Sequence, residues 1–141
     1  MPTHAPPIRV ALVGYGFAGR TFHAPLLAAV PALSLVLVAS RDAARVHADL
    51  PAVDVVADAL RAVVDPRVEL VVIASPNDTH APLARAALAA GKHVVVDKPL
   101  TPTLAEARAL VALAGRHGRQ LSVFHNRRWD SDFLAVRQAI Q

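Results

Sequence analysis

Short apolar runs alternate along this chain with longer stretches whose apolar positions recur every three or four residues, a pattern of strands interleaved with helices. Ile8 to Val13 is such a run and ends at glycine, and Ala18 to Val30 follows with helix-compatible residues up to Pro31. The predicted order there is strand, tight turn, helix. Leu33 to Ala39 reads as a second buried strand, after which Asp42 can cap a short helix reaching Leu50. A brief third strand is expected over Val53 to Ala57, and Asp58 can cap a helix over Ala59 to Val64. Leu70 to Ala74 reads as strand four.

Ser75-Pro76-Asn77-Asp78 is a loop, and the helix beyond it sets Leu83, Ala87 and Ala90 on one face before Gly91 ends it. His93 to Asp97 gives strand five. Thr101 with Pro102 marks a helix start, with Leu104, Ala107, Val111 and Ala114 at core-facing spacing until Gly118. Gln120 to Phe124 gives strand six, and Asp130 or Ser131 can open a last helix that shows no C-terminal cap and so stops in mid-element. This alternation predicts a single α/β domain, a doubly wound parallel sheet with helices on both faces and right-handed crossovers. Residues 1–7, with three prolines and no apolar run, read as a fraying tail and not a signal peptide, leaving 8–141 as the domain.

Composition narrows this picture. The length of 141 residues suits one domain, and 54% hydrophobic with 4% aromatic residues implies a core of Ala, Val and Leu. A net charge of +4 raises nucleic acid as a partner, but the arginines are scattered, without a basic stripe or stacking aromatics, and argue against it. The uncharged stretch from Thr21 to Ser40 is broken by His23, Pro25 and Pro31, so no membrane span is expected. The absence of Cys excludes disulfides and thiolate chemistry and is compatible with a reducing cytoplasm. Lys92 and Lys98 are the only lysines among fifteen basic side chains. A base composition favouring Arg codons explains most of that bias, yet Lys can lose its proton when desolvated and Arg cannot.

The candidate chemistry lies where strands end. In Gly14-Tyr15-Gly16-Phe17-Ala18-Gly19 the first glycine permits a tight turn, the second a close approach of backbone to a pyrophosphate, and the third close helix packing. A strand before it and a helix after it are the context that makes this a dinucleotide site. At the end of strand two, Ser40 can hydrogen-bond a ribose 2′-phosphate and Arg41 can pair with it, which favours NADP over NAD. The other reading leaves Arg41 solvated and gives Asp42 to an NAD ribose. Ser75, Pro76 and Asn77 follow strand four and His80 the next helix start, all placed for the cofactor; alternatively Asn77 only caps the helix and His80 faces solvent.

Lys98, after strand five, could orient a substrate hydroxyl or carbonyl and help move the proton that accompanies hydride transfer. Spacing equally allows a surface lysine in a ribose-side ion pair. Asp97 could accept a ribose hydroxyl, and Pro99 stiffens the turn and admits a cis bond. Asn126 through Trp129 follow strand six, where they could reach the cofactor or a neighbouring domain, a charged rim being the default reading. His4, His47, His93, His117 and His125 lack ligand spacing, so no metal site is expected.

Three segments, Gly14 to Gly19, Ser75-Pro76-Asn77-Asp78-Thr79-His80 and Asp97-Lys98-Pro99, make almost the whole chain resemble the amino-terminal domain of the Gfo/Idh/MocA oxidoreductases. The resemblance implies a Rossmann fold binding NAD or NADP, in a cytoplasmic dehydrogenase acting on a sugar, polyol or related small molecule. It also implies that Lys98 stands at the family's Glu-Lys-Pro lysine, acting at the substrate and nicotinamide ribose. The family's Glu is Asp97 here. Family chains are more than twice this length, their second α/β domain supplying substrate contacts and usually the oligomer interface, so this portion alone is expected to be inactive. A non-catalytic NAD(P)-binding regulatory or redox-sensing module is the alternative. S-adenosylmethionine-dependent methyl transfer leaves Lys98 and Arg41 without a purpose.

Overall fold

The computed structural model describes residues 5–141, so the tail expected over residues 1–7 lies partly outside the described residues. Six strands form one parallel sheet in the order β3-β2-β1-β4-β5-β6. They are β1 (Ile8–Val13), β2 (Leu33–Ala39), β3 (Asp54–Val56), β4 (Leu70–Ile73), β5 (His93–Asp97) and β6 (Leu121–Phe124). The helices are α1 (Ala24–Ala29), α2 (Ala43–Asp49), α3 (Ala59–Val63), α4 (His80–Ala89), α5 (Leu104–His117) and α6 (Ser131–Ala139).

Because successive side chains on a strand point to opposite faces, the apolar runs feed two cores at once. Val10, Leu12, Val38 and Val72 pack with Ala24 and Leu27 of α1 and Val46 of α2. Ala11, Val13, Leu37, Ile73, Val94 and Val96 form the other core with α3, Leu88 of α4 and Leu110 of α5. Strand order reverses between β1 and β4, whose chain continues in opposite directions across the sheet. The carboxyl ends of these two strands therefore open a crevice, the usual ligand position in such sheets.

Several local expectations shift. The helix after β1 opens with an α-type bond from the Arg20 N–H to Gly16 O and then widens into a π-turn, Gly19–His23, in which the Ala24 N–H donates to Gly19 O. Helix α5 starts later than Thr101: Thr103 accepts from the Glu106 N–H while the Glu106 carboxylate takes the Thr103 N–H, a reciprocal cap that fixes the start at Leu104. Its inward face is Ala107, Leu110 and Ala114, leaving Leu104 and Val111 exposed, and on α4 it is Leu83, Ala84, Ala87 and Leu88, leaving Ala90 exposed. Ala-rich helices offer several adjacent apolar faces, and the sheet selects among them. The last helix closes at Ala139, and it carries no buried residue. Lys92 is buried, its ammonium donating to the carbonyls of Asp65 (2.9 Å) and Val68 (2.7 Å), so one of the two lysines braces the turn before β4.

Candidate functional site

The glycine-rich turn sits over the reversal point and its three glycines do different things. Gly14 has φ +93° and a Cβ there would stand 2.6 Å from the Ala74 carbonyl oxygen, so both conformation and space require glycine. A Cβ on Gly19 would lie far inside the van der Waals contact distance to Gly14 O. Gly16 has nothing within 4 Å of the Cβ position and presents bare backbone to open space.

Two cavities flank this turn. The one on the β2 side, about 610 Å³, is lined by Gly14, Tyr15, Gly16, Ser40, Arg41, Asp42, Arg45, Ser75 and Pro76 among others. Arg41 is exposed, with its guanidinium outside every ion pair among the described residues. Asp42 is committed to the α2 cap, accepting from the Arg45 N–H at 3.0 Å, and its own N–H donates to Ser40 Oγ at 3.1 Å. Tyr15 lines the cavity, but its hydroxyl is spent on Asp49, which also takes both nitrogens of the Arg20 fork. Burial and the neighbouring carboxylate raise the Tyr15 phenol above its ordinary value.

The cavity on the β5 side, about 410 Å³, is lined by Phe17, Ala18, Ser75, Asn77, His80, Asp97, Lys98 and Asn126 among others. The two cavities share Ala74 and Ser75 alone. Lys98 is exposed at the rim, preceding a cis bond to Pro99, and its ammonium joins no ion pair among the described residues. Asp97 Oδ1 accepts the Lys98 backbone N–H at 2.7 Å. Lys98 and Asn126 also line a third cavity of about 720 Å³, with Arg128, Phe133 and Val136.

His80 does not face solvent. It is 1% exposed, with Nδ1 2.8 Å from Pro99 O and Nε2 2.9 Å from Ser75 O, so its ring ties the loop after β4 to the loop after β5. Its nitrogens are committed to protein and leave it a brace under the site. Asn77 opens the short 3-10 turn Asn77–Thr79, whose bonds come from Thr79 to Pro76 O and Ser75 and from the His80 N–H to Asn77 O, and the Asn77 side chain makes no capping bond.

Sequence reasoning missed Arg45 and His23. Arg45 falls one helical turn after Arg41, a spacing that could have flagged it. His23 is 4% exposed, its ring tilted on Phe124 at 4.4 Å, with Nε2 3.4 Å from Asp97 Oδ2. No sequence signal joins residues 74 positions apart. Burial pushes the His23 imidazole below its ordinary value, against the opposing pull of Asp97. The folded state thus binds fewer protons than the unfolded chain just below the ordinary histidine value, about 6.5. Stability is full above that pH and falls as pH drops toward the lowered value. We expect the thermal midpoint to fall from pH 7.5 to 5.5 less steeply in His23→Gln than in the unaltered chain, measured by circular dichroism. The depressed carboxylates Asp49, Asp65 and Glu69 act at lower pH and do not confuse the comparison.

No helix among the described residues is long and apolar enough to cross a membrane. A family model described as an oxidoreductase family with an NAD-binding Rossmann fold matches residues 8–125. The chain is 59% identical over 130 residues to the uncharacterized oxidoreductase YdgJ of Escherichia coli, covering 92% of this chain and 38% of that protein. It is 38% identical over 133 residues to the scyllo-inositol 2-dehydrogenase (NADP(+)) IolW of Bacillus subtilis, covering 94% and 37%. Among solved structures, a Klebsiella pneumoniae protein provisionally described as an oxidoreductase superposes with a TM-score of 0.90 at 65% identity, over 94% of this chain and 39% of the other. The chain thus spans well under half the length of these relatives, and within that span the glycine turn, the strand order and the two flanking cavities agree with the match: it belongs to the Gfo/Idh/MocA oxidoreductase family and carries that family's NAD-binding Rossmann fold.

Proposed function

We propose that this chain is the nucleotide-binding domain, residues 8–141, of a longer NADP-preferring dehydrogenase acting on a hydroxyl-bearing carbon of a sugar or polyol. The observation that carries the reading is the pair of cavities meeting at Ala74 and Ser75 on either side of a glycine turn with open space at Gly16. That space fits a pyrophosphate, which needs backbone approach and which a Cβ would crowd. The β2-side cavity holds adenosine, with Arg41, Arg45 and Ser40 for the 2′-phosphate. Asp42 keeps its carboxylate on the α2 cap, which favours this over an Asp42–ribose contact. The polyol class is supported by likeness to an inositol dehydrogenase.

The bound nicotinamide supplies the hydride chemistry. This chain's residues would orient the substrate and handle the proton: Asp97 would accept a hydrogen bond from a ribose hydroxyl, and the Lys98 side chain would give a proton to the carbonyl oxygen when hydride is delivered to the carbon and take one from the hydroxyl when hydride is removed from it. Phe17, Phe22 and Phe124 line the same cavity and give it an apolar wall. Asn77 and Asn126 offer amides to the nicotinamide end. A homo-oligomer is expected to form through the second domain.

Calorimetric titration of the chain with NADPH and NADH tests this directly, and no binding of either at millimolar concentration would sink it. Arg41→Ala should weaken NADPH roughly tenfold to a hundredfold, the worth of a charge-assisted bond to phosphate, while leaving NADH within about threefold. Equal losses for both would overturn the NADP preference.

A further inference from the structure

His23 is an unexpected use of a buried polar side chain. Burying an imidazole is unfavourable unless its nitrogens are used, and this one is placed by a π-turn, a rare distortion that collects at functional sites. The wide turn sets the ring between Phe124 on β6 and the Asp97 carboxylate at the end of β5. Asp97 is itself only 16% exposed at its side chain and lines the β5-side cavity beside Lys98.

We propose that His23 is a positioning residue for the nicotinamide riboside, donating Nε2–H to Asp97 Oδ2 so that the carboxylate is held with its remaining acceptor sites toward the cavity. A carboxylate has about four acceptor sites. One takes the Lys98 N–H and one takes His23, leaving the others for ribose hydroxyls. Burial keeps the ring neutral, so it orients the acid without setting a second cation beside Lys98. The contact also fixes the Asp97-Lys98 peptide, since the same carboxylate grips the Lys98 N–H. This inference rests on the nucleotide reading above, which a separate outcome of the same experiment tests.

The chain is titrated with NADPH and with adenosine 2′,5′-bisphosphate, which lacks the nicotinamide riboside. His23→Leu keeps the volume and loses the donor. It should weaken NADPH about fivefold to tenfold, the worth of one hydrogen bond, and leave the bisphosphate within about twofold. His23→Gln, whose amide reaches where Nε2 lies, should recover most of the loss. In an Asp97→Ala background His23→Leu should cost nothing further, because the two act as one unit. Equal weakening of both ligands would mean a role in the fold alone, and unchanged NADPH affinity would mean no positioning; either overturns the proposal. Circular dichroism checks that each variant is folded, and His23→Asn, too short to reach Asp97, replaces Leu should Leu unfold the chain. Failure of the unaltered chain to bind either ligand would overturn the nucleotide reading and this inference with it.

Discussion

Gly19→Ala should destabilise the fold by about 3 kcal/mol, the upper range of overpacking, while Gly16→Ala leaves stability unchanged and weakens nucleotide binding. The two substitutions add the same methyl group three residues apart. At Gly19 it would be driven into the Gly14 carbonyl oxygen, which is backbone and is itself pinned, since the Gly14 N–H donates to Ala39 O at 3.0 Å. Relief requires the helix start to lift off the β1 turn, opening the packing of Ala24 and Leu27 beneath it. At Gly16 the methyl meets nothing within 4 Å and enters the space assigned to the pyrophosphate. Urea unfolding and calorimetry with NADPH separate the two: Gly19→Ala should lower the midpoint sharply, and Gly16→Ala should hold the midpoint and lose at least about tenfold in affinity. A Gly16→Ala variant that binds NADPH normally would remove the pyrophosphate from this turn.

In the complete enzyme, Lys98→Ala should lower turnover by about 10²- to 10⁴-fold, the range for loss of a positioned proton donor, with NADPH affinity within about threefold. Free access carries the argument. Lys92, the other lysine, spends its ammonium on two carbonyls inside the fold, whereas Lys98 is exposed at the mouth of the β5-side cavity and outside every ion pair among the described residues. The neighbouring acid takes its backbone N–H and not its ammonium. Steady-state rates and cofactor titration, measured separately, decide the matter. Undiminished turnover would reduce Lys98 to a surface charge, and lost affinity at unchanged turnover would make it a ribose ligand.

Strands were legible to within a residue or two because each is a short β-branched or Leu-rich run; the inner strands β1 and β4 carry continuous buried runs, whereas the edge strands β3 and β6 hold no fully buried residue. Caps at Asp42 and Asp58 were legible for the same local reason. The α5 face was not, since Leu104, Leu110, Val111 and Leu113 offer competing stripes and only the sheet beneath chooses Leu110. The cap at Thr103 with Glu106 was written in the sequence and outweighs the Thr101-Pro102 signal. At the site, residues whose roles depend on one turn of backbone, such as Gly14, Gly16 and Gly19, could be read directly. His80 and His23 could not, because a histidine's partners lie 19 and 74 residues away and local spacing says nothing of them.

The two cavities touch each other through Ala74 and Ser75 alone. On the proposed assignment, preference for one coenzyme over another is written at the end of β2 and reactivity at the end of β5, on separate loops with separate supports. Under that assignment a lineage, or an engineer, would rewrite Arg41 and Arg45 to change which redox pool the enzyme draws on without retuning Lys98, and chemistry and metabolic currency would drift independently.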